Sequence, residues 1–199
     1  HNGSYDLCFM RCLPNIILMA PSDENECRQM LYTGFKLNQP AAVRYPRGIG
    51  PGVKVQKEMT QLPIGKAEIR HKGKDIAILA FGTMVQPCER VGEEINATVI
   101  NMRFVKPMDE SLIINICENH QLIITVEENV IQGGAGSAVN EVVAAYGVER
   151  VIVNHGLPDR LIQHGTRDDM LRDAGLDYKG ILDFVMAQIS EPEQKKRIN

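Results

Sequence analysis

Apolar and polar positions alternate with two different periods along this chain, and the changes of period mark its elements. Ile16 to Met19 is a short apolar run, followed by Pro21 and by Ser22-Asp23-Glu24-Asn25-Glu26. Ser22 or Asp23 can accept hydrogen bonds from the orphan amides of a helix start, and the acids favour its positive end. A strand followed by a helix is predicted. That helix carries Cys27, Met30, Leu31, Gly34 and Phe35 at i, i+3, i+4, i+7 and i+8, expected to form one buried stripe, and stops near Asn38-Gln39-Pro40. Ala41 to Tyr45 then reads as a second strand, running into Arg44-Tyr45-Pro46-Arg47-Gly48.

From Gly48 to about Pro63 the periodicity disappears among glycines, prolines and polar residues, as in a linker or domain crossover. A boundary near residue 60 is expected, giving units 1–60 and 61–199. Beyond it, strands are predicted at Gly65 to Arg70, Asp75 to Ala80, Ala97 to Asn101, Leu122 to Val126 and Val151 to Asn154. Helical patterns occupy Met84 to Ile95, Asp109 to Glu118 and Ser137 to Tyr146, and two more begin near Thr166 and Asp177. Alternation at this spacing argues for right-handed β-α-β crossovers, an α/β fold and a mostly parallel sheet.

With 199 residues, 44% of them apolar, the chain can fill a real core. Its formal charge of -3 is interspersed, and the one dense basic run is Lys195-Lys196-Arg197, so no nucleic acid partner is expected. No stretch approaches the roughly 18 to 20 apolar residues of a membrane span, and no membrane partner is expected. The five cysteines, Cys8, Cys12, Cys27, Cys88 and Cys117, are an odd number without a C-x-x-C motif. Buried free thiols in a reducing cytoplasm are expected. The chain opens on His1-Asn2-Gly3 without Met or signal-peptide regions, which reads as a piece of something longer.

Several groups are candidates for chemistry. Gly133-Gly134-Ala135-Gly136-Ser137 follows a strand and could present amides to a phosphate at a helix start, or could simply allow tight strand-to-helix packing. It has neither the Lys-Ser/Thr ending of a P-loop nor the spacing of G-x-G-x-x-G. Arg44 and Arg47 bracket Tyr45-Pro46 at a strand end, where a planar guanidinium suits an anionic substrate or an ordinary ion pair. His1 precedes a polar turn and could act as acid, base or donor. His71, His120, His155 and His164 have no ligand spacing and read as loop or capping residues. Glu127 and Glu128 are adjacent on a strand and point to opposite faces, so one of them is expected to cap or to bridge domains.

Seven stretches, in order, extend the picture: His1 to Leu7, Pro21 to Glu26, Arg44 to Gly48, Leu62 to Lys66, Met102 to Glu110, Val126 to Ser137 and Gly156 to Asp159. On these the chain resembles the C-terminal part of the 1-deoxy-D-xylulose-5-phosphate synthases, thiamine-diphosphate enzymes of the transketolase superfamily. The resemblance implies the last portion of a pyrimidine-binding domain over 1–60 and a transketolase-type C-terminal domain with a mostly parallel five-stranded sheet over 61–199. It implies a cytoplasmic homodimer using thiamine diphosphate and Mg²⁺ to join pyruvate and D-glyceraldehyde 3-phosphate, with release of carbon dioxide. His1 matches the active-site histidine and Arg47 the arginine that grips the acceptor's phosphate. No cofactor or metal ligand falls within this piece, so the chain alone is expected to be inert without its N-terminal part. A transketolase, a 2-oxo-acid dehydrogenase β-type subunit and a non-catalytic dimerisation module are the competing readings.

Overall fold

The computed structural model describes residues 3–190, so His1 and the Lys195-Lys196-Arg197 run lie outside the described residues. The order of elements is α1 (Asp6–Arg11), β1 (Ile17–Met19), α2 (Glu24–Lys36), β2 (Ala41–Val43), β3 (Glu68–His71), β4 (Ile76–Ala80), a 3₁₀ turn (Gly82–Met84) and α3 (Val85–Ile95). There follow β5 (Thr98–Asn101), β6 (Phe104–Lys106), α4 (Glu110–Asn119), β7 (Leu122–Val130), α5 (Ala135–Ala145), β8 (Ile152–Leu157), α6 (Arg167–Asp173) and α7 (Tyr178–Ser190).

The larger sheet has five strands in the order β3-β5-β4-β7-β8. Strands β5, β4, β7 and β8 run parallel, and β3 joins the edge antiparallel to β5. Apolar runs such as Ala77-Ile78-Leu79-Ala80 are needed because helices cover both faces. Successive side chains alternate between two cores. Leu79, Ile100 and Ile123 pack with Ile113 of α4 and Val139 of α5. Ile78, Val99 and Ile124 pack with Val91 of α3 and Val185 of α7. Local caps start the helices where expected: Asp23 Oδ1 accepts from the Glu26 amide at 2.8 Å, Asp109 Oδ1 from Leu112 at 3.3 Å and Thr166 Oγ1 from Asp169 at 3.2 Å.

The smaller sheet, β2-β1-β6, contains a strand that the periodicity missed. β1 runs parallel to β2, with Ile17 opposite Ala41, and antiparallel to β6, with Leu18 opposite Lys106. Strand β6 therefore leaves the second half of the chain to complete a sheet begun in the first. Phe104 is fully buried there with Ile17, Met19 and Met30.

Helix α2 departs from expectation. Met30 is buried, but Leu31 is 51% and Phe35 86% exposed, and the inward face is instead Glu26, Gln29, Met30 and Thr33. The reason lies in residues 52–62, an irregular strap along α2 whose backbone polar groups need partners. The Asn25 side chain accepts from Gln56 N at 2.8 Å, Gln29 Oε1 from Thr60 N at 2.6 Å and Thr33 Oγ1 from Leu62 N at 2.8 Å. A polar face is thus used inward and the apolar stripe is left outward.

Three smaller corrections follow from packing. Only Cys88 and Cys117 are buried, Cys12 being exposed and Cys8 and Cys27 half-buried, although all five thiols are free. His71 and His155 lie within strands; His155 stacks on Phe184 with ring centres 4.0 Å apart and bonds to the Gly175 carbonyl at 2.8 Å. Helix α5 starts at Ala135 rather than Ser137, and β7 continues to Val130.

Candidate active site at the junction of the two sheets

Strand β7 carries two adjacent carboxylates that do different work. Glu127 is fully buried, its Oε2 accepting from the Ala135 amide at 2.7 Å and its Oε1 from Gly136 at 2.8 Å, so it caps the start of α5. Burial pushes its carboxyl up to about 7, against the pull of the Gly136 and Ala135 amides and, more weakly, of Arg44 and Arg11. The glycine-rich turn that could have cradled a phosphate is therefore filled by the chain's own carboxylate. A Cβ at Gly134 would overlap both Glu127 oxygens, which is why the turn is built from glycine there. Glu128 faces the other way, where its Oε2 accepts from Thr83 Oγ1 at 2.9 Å and from Arg167 Nη2 at 2.6 Å.

The carbonyl of Glu128 reaches back to the first half of the chain, accepting from Arg44 Nη2 at 2.6 Å. Arg44 Nε donates to Asp6 Oδ2 at 3.1 Å, tying the end of β2 to the start of α1. Around this point β7 and the turn after it grip the segment that follows His1. Val130 donates to the Ser4 carbonyl at 2.9 Å, Asn129 Oδ1 accepts from Leu7 N at 3.3 Å and Arg11 Nε donates to the Gly134 carbonyl at 3.3 Å. The segment of residues 4–11 is thus positioned by strand β7 and the turn that follows it.

His1 itself lies outside the described residues. Arg47 is exposed, and among the described residues it makes no hydrogen bond or ion pair. It follows Tyr45 and Pro46 and precedes Gly48, all three of which line a cleft of about 1090 Å³ between α2, α3 and α6 that Thr83 and Arg167 also line. Thr83 and Arg167 carried no motif in the sequence, and Asp6 had no assigned part within the His1 to Leu7 stretch; Asp6 meets Arg44, and Thr83 and Arg167 meet Glu128, only through the fold.

A model of the transketolase C-terminal domain matches residues 65–181, and one of the transketolase pyrimidine binding domain matches residues 1–52. The chain belongs to the transketolase family. Among its curated relatives, the 1-deoxy-D-xylulose-5-phosphate synthase of Nitrosospira multiformis is 56% identical over 94% of this chain and 31% of its own length. That of Nitrosococcus oceani is 64% identical over 74% of this chain and 23% of its own. The chain thus spans about a third or less of the relatives it matches. Among solved structures, a split-gene transketolase described as an inactive β4 tetramer superposes with a TM-score of 0.78 at 24% identity, covering 94% of this chain and 61% of that one. A transketolase from Campylobacter jejuni gives 0.62 at 16%, covering 92% and 28%. These two likenesses show the fold.

Within this transketolase-family chain, the blocks that carry the resemblance turn out to be junctions. Met102 to Lys106 supplies β6 to the small sheet, and Lys106 Nζ donates to the Arg11 and Leu13 carbonyls at 3.0 and 2.6 Å, closing the end of α1. Val126 to Gly134 holds residues 4–11 and Arg44. Among the described residues there is no cluster of three His, Cys, Asp or Glu side chains able to hold an ion, and the glycine-rich turn is filled by Glu127. No helix among them is long and apolar enough to cross a membrane.

Proposed function

We propose that the chain is the C-terminal part of a 1-deoxy-D-xylulose-5-phosphate synthase. Residues 1–60 would be the last portion of its pyrimidine-binding domain and residues 61–199 its C-terminal domain. The whole enzyme, a thiamine-diphosphate and Mg²⁺ enzyme with those ligands held outside this chain, joins pyruvate to D-glyceraldehyde 3-phosphate, releasing carbon dioxide and 1-deoxy-D-xylulose 5-phosphate. The reading is carried by the identity of 56% to a synthase over 188 residues, a stretch that spans both units and includes Arg47.

Arg47 grips the acceptor's phosphate. Arg47 is exposed and unpaired among the described residues, between Pro46 and Gly48, which line the cleft, and a planar fork matches a phosphate's oxygens two at a time. His1 hydrogen-bonds oxygens of the substrate and moves protons there. The chain works with the N-terminal part of the same enzyme and as a homodimer in the cytoplasm, and alone it is inert. Support for the missing partner is the outer edge of β2, which pairs with no strand among the described residues, and the outward stripe of α2 with Phe35 86% exposed.

The test is carbon dioxide release from pyruvate by the full-length protein, with glyceraldehyde 3-phosphate, lipoamide or no acceptor added in turn. A surge with glyceraldehyde 3-phosphate is expected. A response to lipoamide moves the assignment to a dehydrogenase subunit, and no release at all removes the synthase activity.

A further inference from the structure

The Asp6–Arg44–Glu128 contact joins three parts of the chain that are remote in sequence. The Arg44 side chain is only 14% exposed, and its Nε and Nη2, which together form the bidentate edge of the guanidinium, are spent on Asp6 Oδ2 at 3.1 Å and the Glu128 carbonyl at 2.6 Å. That edge is not available to a phosphate. A rigid fork with both prongs engaged fixes direction as well as distance, which a lysine ammonium on a flexible stem would not. On one side it fixes α1, whose first residue is Asp6; on the other it reaches β7 through the Glu128 carbonyl, which lies in the irregular stretch between Val126 and Val130, the residues of β7 that pair with His155 and Leu157 of β8. Arg44 itself stands three residues before Arg47 with only Tyr45 and Pro46 between, and proline restrains both itself and the residue before it. The loop that carries Arg47 is therefore anchored at one end by this guanidinium.

We propose that Arg44 is a positioning residue for the acceptor: it sets the Arg47 loop against the segment following His1, with the Glu128 carbonyl as the fixed point. The proposal rests on the reading of Arg47 as the acceptor's phosphate ligand. It assigns the C-terminal domain a part in the reaction, that of the reference frame for two groups it does not itself carry.

A double-mutant cycle in the full-length holoenzyme tests it, with Arg44→Met, Arg47→Ala and the pair, read as kcat/KM for glyceraldehyde 3-phosphate alongside the melting temperature. R44M alone is expected to lower kcat/KM by about 10- to 100-fold, the size of effect that a misplaced contact group produces. In the R47A background the same change should cost less than about threefold, because what Arg44 positions is already gone. A merely structural role would lower the melting temperature and cost the same factor in both backgrounds, and that result overturns the proposal. So does an unchanged kcat/KM in R44M. R44K and Asp6→Asn, run through the same cycle, answer the question if R44M fails to fold; each should show the same dependence on Arg47, with R44K the milder. An R47A enzyme whose acceptor KM is unchanged removes the functional reading and this proposal with it, whereas a raised KM in R47A with equal R44M losses in both backgrounds removes this proposal alone.

Discussion

Arg103 Nε donates to Glu26 Oε1 at 2.6 Å, joining the loop before β6 to the first turn of α2. Glu26 has a side chain only 7% exposed and is also held by the Ser22 amide at 2.7 Å and by Asn101 Nδ2 at 2.9 Å. Arg103 reaches Glu68 with its Nη2 at 2.7 Å as well, and its own backbone is in the left-handed region, φ 57°. One carboxylate thus receives donors from both halves of the chain, and the clasp is the stability counterpart of the Arg44 contact.

Breaking that clasp from the cationic side leaves a buried carboxylate short of its charge partner. Arg103→Met is expected to destabilise the chain by about 3 kcal/mol, as for other buried pairs that lose one member. Urea unfolding checks it, and a loss below about 1 kcal/mol would place the pair among ordinary surface ion pairs.

Glu127 sets a pH dependence. Burial raises its carboxyl from 4.5 to about 7, so the folded chain holds that proton more tightly than the unfolded chain does. Its contribution to stability is fully present below the unfolded value of 4.5 and is lost as pH rises through about 7. The loss is on the order of 3 kcal/mol. Denaturation midpoints measured from pH 4.5 to 8 should fall across that window, and Glu127→Gln should remove this part of the slope while costing stability of its own, since the NH2 that replaces one carboxylate oxygen sets a donor against the Ala135 or Gly136 N–H.

Gly136 packs where a side chain cannot go. A Cβ there would sit 2.5 Å from Thr125 Oγ1 and 2.9 Å from Asn154 Oδ1, between β7 and β8. Gly136→Ala is expected to cost about 1 to 3 kcal/mol by thermal unfolding, the usual penalty of overpacking.

Helix α2 separates the two ways its face can be read. Met30→Ala should cost about 3 kcal/mol and Phe35→Ser less than about 0.5 kcal/mol in unfolding of this chain, because Met30 is buried and Phe35 is 86% exposed. Comparable losses at both positions would restore the stripe that periodicity predicts.

What the sequence made legible was what short-range physics decides. The caps at Asp23, Asp109 and Thr166 are bonds across three residues, and the alternation of β4, α3 and β5 follows from local periods, so both could be read without a structure. The β6 strand could not, because Phe104 finds its place only against Ile17 and Met19, which no local pattern announces. The outward turn of Phe35 depends on the strap of residues 52–62, whose bare backbone claims Gln29 and Thr33. The Gly133–Ser137 turn looked the same in sequence whether a phosphate or Glu127 filled it, and the two amide bonds to Glu127 decide between them. Arg47 was nominated as the phosphate ligand by family resemblance alone, while the contacts of Arg44 with Asp6 and the Glu128 carbonyl, and of Arg167 with the Glu128 carboxylate, are made across the fold and no local pattern announces them.

The most direct measurement is the acceptor preference of the full-length enzyme with and without Arg47. The KM for glyceraldehyde 3-phosphate and for unphosphorylated glyceraldehyde should be determined in the wild type and in Arg47→Ala. An exposed guanidinium that binds the phosphate requires the wild-type preference for the phosphorylated acceptor to fall by about tenfold or more in the variant, the size of one lost charge-assisted contact. An unchanged preference would contradict the assignment of this chain as the holder of the acceptor's phosphate.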